Sequence, residues 1–205
     1  MKLFDFAFSP NCRKVRAVAY ELGITFDHER VDLVRGAQRD PAFLARNPNG
    51  RVPVLEDGDL VLWESSAILR YLATGSALVP TARRTAAEVD RWMSWQVAHL
   101  GPAMSKVSFE RIVKRFTGGT PDPARIAEGT AEFDQLTAIL DRALVDREYV
   151  AGPLTIADFA LAAHYSLAAP AGLELARHGR VESWLARICA RDSMKRALSD
   201  AQAAL

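Results

Sequence analysis

Only two cysteines occur in the 205 residues, Cys12 and Cys189, and their separation matches neither a disulfide framework nor a metal-ligand pattern. This predicts a cytoplasmic, reducing environment and no bound metal. An excess of one charge is also lacking. The 26 basic and 25 acidic residues leave a net +1, with no long run of either sign. The electrostatic footprint for nucleic acid or an anionic membrane is therefore absent, and small-molecule or protein partners fit better. No uninterrupted apolar stretch approaches the ~18 residues of a spanning helix. The opening Met1-Lys2-Leu3-Phe4 reaches Asp5 before a signal-like apolar region develops, so the expectation is a soluble, unsecreted chain. What the sequence does have is apolar content, 49% of residues, which suits one or two compact domains and argues against disorder.

Up to about residue 75 the hydrophobic period alternates between strand and helix. A strand-like run from Lys2 to Phe8 breaks at Ser9-Pro10-Asn11-Cys12. A helical pattern then carries Val15, Val18, Ala19 and Leu22 on one face and closes at Gly23. A second strand passes through Phe26, Val31 and Leu33, completing a βαβ unit. After the polar Gly36-Ala37-Gln38-Arg39-Asp40 and a short helix, two further runs, Val52 to Glu56 and Leu60 to Trp63, flank Asp57-Gly58-Asp59, a hairpin signal. A last helix is expected from Ser65 or Ser66 to Gly75, with serine as its N-cap.

Beyond Gly75 the strand pattern stops. Gly75 to Thr81 has the composition of a connection, and from about residue 84 to 205 the chain reads as helix. Val89, Trp92, Met93, Val97, Leu100, Met104 and Val107 follow helical spacing, with a kink expected at Gly101-Pro102. One later helix carries Phe133, Leu136, Ile139, Leu140 and Leu144, and another Val181, Trp184, Leu185 and Ile188. Between them, Thr155 and Asp158 have capping-box spacing at the start of an alanine-rich helix, a structural role.

The junction at Ser9 is the candidate centre of chemistry. A strand that ends at a proline beside a helix start directs backbone N–H groups and the positive end of the helix dipole to one point, where an anion is favoured. Ser9 stands there with a hydroxyl, and the thiol of Cys12 follows three positions on.

Three motifs in this order, Asn47-Pro48-Asn49-Gly50-Arg51-Val52-Pro53-Val54-Leu55, then Glu64-Ser65-Ser66-Ala67-Ile68, then Thr155 to Asp158, closely resemble the cytosolic glutathione transferase family over nearly the whole chain. The resemblance implies an α/β plus all-α architecture. A thioredoxin-like glutathione-binding domain would span residues 1–75, and an all-helical domain contributing the second-substrate site would span 84–205. It also implies glutathione as co-substrate, a small hydrophobic electrophile as second substrate, and a homodimer. Ser9 aligns with the catalytic serine of branches resembling the theta, phi and zeta classes. Its implied role is to donate a hydrogen bond to the glutathione thiolate, not to act as nucleophile.

By the same resemblance Pro53 is cis and presents the Val52 backbone to the cysteinyl part of glutathione. Ser65 holds the γ-glutamyl carboxylate, Glu64 meets the ligand's ammonium group, and Gln38, Arg39 and Arg51 are candidates for the glycyl carboxylate. Asn11 is a second candidate thiolate donor, as in some bacterial relatives. The second substrate is expected between the first turn and the kinked helix, near Phe8, Asn11, His99, Met104, Val107 and Arg111. Because Ser9-Pro10-Asn11-Cys12 has glutaredoxin-like spacing with serine at the attacking position, Cys12 is also considered for a redox role. Three alternatives stay open: disulfide or peroxide reduction, isomerisation, and a noncatalytic binding or regulatory protein.

Overall fold

Four short strands build one mixed sheet in the order β2-β1-β3-β4: β1 (Lys2–Asp5), β2 (Asp27–Arg30), β3 (Val54–Asp57) and β4 (Leu60–Trp63). The computed structural model describes residues 1–202. β1 is shorter than the apolar run suggests. It ends at Asp5, and Phe6 to Phe8 form a turn in which the Ser9 amide donates to the Phe6 carbonyl at 2.9 Å. β1 pairs parallel with β2 and antiparallel with β3, and β3 and β4 form the expected hairpin. Gly58 occupies the first loop position with φ +60°, a conformation that glycine adopts without Cβ strain.

The register places several segments at one end of the sheet. Asp5 lies opposite Arg30, and Val54 lies opposite both Phe4 and Trp63. The chain therefore leaves β1 toward Ser9, leaves β2 toward Gln38, enters β3 from Pro53 and leaves β4 into Glu64-Ser65, all at the same edge.

Alternation along the strands fixes the two faces. Phe4 and Val54 pack with Val31 and Phe43, the Phe4 and Phe43 rings meeting edge to face at 6.2 Å. Leu3 and Leu55 point the other way and are fully buried, as are Val15 and Val18 of α1 (Pro10–Glu21) and Ile68 and Leu69 of α3 (Ser65–Ala73). α2 (Pro41–Leu44) contributes Phe43.

The chain divides into two compact units, and the division is not contiguous in sequence. One holds Met1–Ser76 together with the described residues from Arg191 to Gln202, and the other holds Ala77–Ala190. The expectation of an all-helical domain running to residue 205 thus changes at its end, because α10 (Asp192–Gln202) packs on α1. Tyr20 donates to Asp200 at 2.8 Å, Ser193 donates to Glu21 at 2.5 Å, and Arg191 pairs with Glu21. Beneath them Arg16, 1% exposed, sets its Nη1 2.7 and 2.6 Å from the two oxygens of buried Asp5.

Burial raises the Asp5 carboxyl, but His28 and Arg16 outweigh it and hold the net value below 3.8. A carboxyl that is more acidic folded than unfolded stabilises the fold above its unfolded pKa and loses that contribution as pH falls through the folded one. Denaturation midpoints followed from about pH 6 to about pH 2 should accordingly drop most steeply below about pH 4. Asp5→Asn, which keeps one acceptor for Arg16, should cost about 2 kcal/mol at neutral pH and flatten that acid limb.

The second unit is built from helices. α4 (Arg83–Trp95) continues through a π-helical turn at Gln96–Leu100 into α5 (Gly101–Ser108), then through a second such turn at Phe109–Val113 into α6 (Lys114–Thr117). The first π turn ends where Gly101-Pro102 begins, so the widened turn accommodates a residue that has no N–H to donate. α7 (Pro123–Ala143) starts at Asp122, whose side chain accepts from the Ala124 and Arg125 amides. All ten residues of α8 (Ile156–Tyr165) are buried, and α9 (Gly179–Cys189) contributes Val181, Trp184 and Ile188 to the core. The capping box at Thr155 and Asp158 is formed as expected. Among the described residues no helix is long and apolar enough to cross a membrane.

Candidate active site

Ser9 is the N-cap of α1, with an extended backbone at φ −70° and ψ 124°. Its Oγ accepts from the Cys12 amide at 3.4 Å. An N-cap oxygen occupied in this way keeps its O–H free to donate outward, and the neighbouring helix dipole favours negative charge at that point. Pro10 at the first helical position removes one amide without cost to the helix.

The chain leaving β4 comes to the same edge. α3 begins at Ser65, so Ser65 is its first helical residue and not its cap. The capping position belongs to Glu64, at φ 69° and ψ 105°. A left-handed glutamate costs on the order of 1–3 kcal/mol and persists only where its surroundings impose it, a form of strain that gathers at functional sites. The two helix starts are joined, since Ser65 Oγ donates to Asn11 Oδ1 at 3.3 Å. Beside this contact Lys14, fully buried, donates from Nζ to Ser66 Oγ at 3.4 Å. The sequence reading places Ser66 only in the Glu64-Ser65-Ser66 motif and as a possible helix start, and does not single out Lys14.

The loop before β3 is fastened by Asn47, whose Nδ2 donates to the Arg51 carbonyl at 2.6 Å and whose Oδ1 accepts from the Asn49 amide at 3.0 Å. Val52-Pro53 is a cis peptide. Gly50, at φ +59°, is constrained twice, because a Cβ there would also lie 3.1 Å from the Gln38 carbonyl. That close approach sets the 37–39 turn against the 47–53 loop. Gln38 is half-buried, with its Oε1 out of solvent and unpartnered among the described residues, while Arg39 and Arg51 are exposed. The first unit therefore gathers Ser9, Asn11, Gln38, Val52, Pro53, Glu64 and Ser65 around one sheet edge.

Other candidates are placed differently. Cys12 is fully buried, and burial followed by the nearby Asp5 charge pushes its thiol well above the ordinary value. A protonated, inaccessible sulfur cannot attack a disulfide, so Cys12 does not fill the redox role expected of it. Met104 and Val107, 1% and 0% exposed, are sealed in the core of the helical unit and offer a second substrate no surface, which corrects that expectation. Arg111 is committed to structure, donating from Nη1 to the Ala171 and Gly172 carbonyls at 2.7 and 2.8 Å. His99 is exposed on its helix with Trp95 6.4 Å away, and Phe8 is half-buried beside Phe6 at 5.5 Å. Among the described residues no group of three His, Cys, Asp or Glu side chains is placed to hold a metal ion.

Comparison with known proteins gives a concordant result. Residues 1–74 match the model of the glutathione S-transferase N-terminal domain. Over 97% of the chain and 93% of the relative, the sequence is 34% identical to glutathione S-transferase 3 of Zea mays. The structure of glutathione transferase F7 from Populus trichocarpa aligns at a TM-score of 0.91 and 28% identity, covering 98% of each chain. That of a glutathione S-transferase I bound with lactoylglutathione aligns at 0.88 and 26%, covering 97% of this chain and 98% of that one.

Proposed function

Since the chain belongs to the glutathione S-transferase family and is a transferase with glutathione as its co-substrate, we propose that Ser9 activates the glutathione thiol for attack on small hydrophobic electrophiles. The observation that carries this reading is the junction of two helix starts at one sheet edge, tied by the Ser65–Asn11 bond, with the Ser9 hydroxyl at the mouth of the first. An alkyl thiol has a pKa of about 8.5, so only a few per cent is thiolate at neutral pH. A hydroxyl donor backed by a helix N-terminus stabilises the anion and raises that fraction. The thiolate sulfur then forms a bond to the electrophilic carbon as the leaving group departs with its electron pair or, for an activated double bond, as the π bond breaks, its electrons pass to the activating group and a proton from solvent completes the addition.

The remainder of the tripeptide fits the same edge. The first turn of α3 offers free amides to the γ-glutamyl carboxylate, joined by the Ser65 hydroxyl when its hydrogen turns from Asn11 Oδ1 to the ligand, with Glu64 available to the ammonium group. The Val52 backbone pairs with the cysteinyl part as an added strand. Gln38, whose side-chain oxygen is otherwise unsatisfied, sits with Arg39 and Arg51 in the region that would hold the glycyl end. Asn11 accepts from Ser65 through Oδ1, which leaves its Nδ2 as a second candidate thiolate donor beside Ser9. Phe8 offers the electrophile an apolar wall in the turn that ends at Ser9. We also propose a homodimer, supported by the exposed Val61 and Trp63 on edge strand β4, and a cytoplasmic location, supported by a chain whose two cysteines form no disulfide with each other.

Ser65→Ala tests the arrangement. By calorimetry it should weaken glutathione about tenfold while changing little for a glutathione analogue lacking the γ-glutamyl carboxylate. An unchanged preference between the two ligands would remove Ser65 from the site.

A further inference from the structure

The turn that leads into Ser9 lies beyond the end of β1, so the sheet does not hold it. A buried arginine does. Arg16 stands on α1 behind this turn, 1% exposed, and every nitrogen of its guanidinium faces an acceptor. Nη1 donates to both oxygens of Asp5, the last residue of β1. Nη2 donates to the Ala7 carbonyl at 2.8 Å and to the Ala197 carbonyl of α10 at 3.3 Å, while Nε faces Asp200 Oδ2 of α10 at 3.3 Å. Asp5 also accepts from the Cys12 thiol, and the Cys12 amide is the donor to Ser9 Oγ. One planar group thus ties together the end of β1, the middle of the Phe6–Phe8 turn and the last helix.

Stability alone does not call for a guanidinium here. A buried ion pair gives up the hydration of both charges, and apolar side chains of similar volume serve a core equally well. What they lack is direction. The rigid fork of an arginine sets its acceptors at fixed positions relative to one another, and one of them, the Ala7 carbonyl, lies two residues ahead of Ser9. The course of the chain through that carbonyl decides where the Ser9 hydroxyl points, and a misplacement of about 1 Å at a reacting centre costs about 10²-fold in rate.

Building on the role of Ser9 proposed above, we propose that Arg16, braced by α10, is a positioning residue that fixes the Ala7 carbonyl and through it the direction in which Ser9 donates to the glutathione thiolate. Tyr20, which donates to Asp200 at 2.8 Å, holds the brace against α1. A helix from the far end of the sequence thereby helps to aim the donor at the sheet edge.

Arg16→Lys, Asp200→Ala, Ser9→Ala and the double variant Arg16→Lys/Ser9→Ala can be compared with the wild type by steady-state kinetics over varied glutathione and by the ultraviolet absorbance of bound thiolate against pH. Lysine keeps a positive charge beside Asp5 but cannot span the Ala7 and Ala197 carbonyls together. Arg16→Lys should lower kcat about tenfold, change the KM for glutathione less than about twofold, and raise the pKa of the bound thiol. Asp200→Ala leaves the Asp5 pair in place and should lower kcat about threefold with the thiol moved in the same direction, so it carries the test if Arg16→Lys does not fold. With Ser9 already replaced by alanine, Arg16→Lys should cost less than about twofold, because the group it aims is gone. A residue serving stability alone would lower the thermal midpoint and leave the bound thiol unmoved. Wild-type kcat and thiol pKa in either folded variant, or a loss that persists undiminished in the Ser9→Ala background, overturns the inference while the role of Ser9 stands. If Ser9→Ala itself keeps the wild-type kcat and thiol pKa, the proposed function falls, and this inference with it.

Discussion

Ser9→Ala is expected to lower turnover about 10²-fold or more, the scale on which loss of one donor to a developing anion is felt. Glutathione affinity should stay close to wild type, because the γ-glutamyl and glycyl ends are held elsewhere. The substitution also deletes the N-cap, which accepts only one amide at 3.4 Å and is worth about 1 kcal/mol. A modest fall in thermal midpoint should accompany the kinetic defect without accounting for it. Ser9→Thr, which preserves both the cap and the O–H, separates the two effects and should retain more activity than alanine. Steady-state kinetics at saturating glutathione are the appropriate readout. If instead Cys12→Ala abolishes turnover while Ser9→Ala spares it, the assignment of the donor is wrong.

The second large effect is on stability and lies in the helical unit. Asp158, 0% exposed, accepts from the Val150 amide at 3.0 Å, the Thr155 amide at 2.9 Å, the Thr155 hydroxyl at 3.3 Å and the Trp184 indole N–H at 3.0 Å. It links the loop before α8, the start of α8 and the middle of α9. Burial, the largest influence, lifts its carboxyl above the ordinary value even against those four donors. Asp158→Ala strands three buried N–H groups at once, each costing about 1–3 kcal/mol, so a loss of about 4 kcal/mol is expected. Against a total of about 5–15 kcal/mol, most of the margin disappears. Equilibrium denaturation should show the loss directly, and poor soluble yield would be its cellular counterpart. Asp158→Asn, which keeps an acceptor oxygen, should cost less than alanine.

Local chemistry explains which parts of this molecule could be read from its sequence. The Asp57-Gly58 hairpin, the Ser9-Pro10 helix start, the Thr155–Asp158 box and the long helix through Phe133 and Leu140 each depend on neighbours within a few residues, and each is present. The end of β1 was overread because the turn residues Phe6, Ala7 and Phe8 continue the apolar run without being paired in the sheet. The attachment of α10 to α1 depends on Tyr20–Asp200 and Glu21–Arg191, contacts spanning 180 and 170 residues that no local period records.

The candidate site follows the same division. Ser9, Pro53 and Ser65 sit in motifs and were legible, whereas the Asn11–Ser65 and Lys14–Ser66 contacts join segments 54 and 52 residues apart. Met104 and Val107 are apolar residues close to a kink. That property suits a ligand wall and a bundle core equally, and burial decided for the core.

The central claim is that the Ser9 hydroxyl stabilises a glutathione thiolate at the mouth of α1. The most direct measurement is the ultraviolet absorbance of enzyme-bound glutathione thiolate as a function of pH, in the wild type and in Ser9→Ala under ligand saturation. The account predicts a bound thiol pKa at least one unit below the free value of about 8.5 in the wild type, moving back toward 8.5 in the variant. Equal pKa values in the two proteins, or a bound thiol that titrates like free glutathione in the wild type, would contradict it.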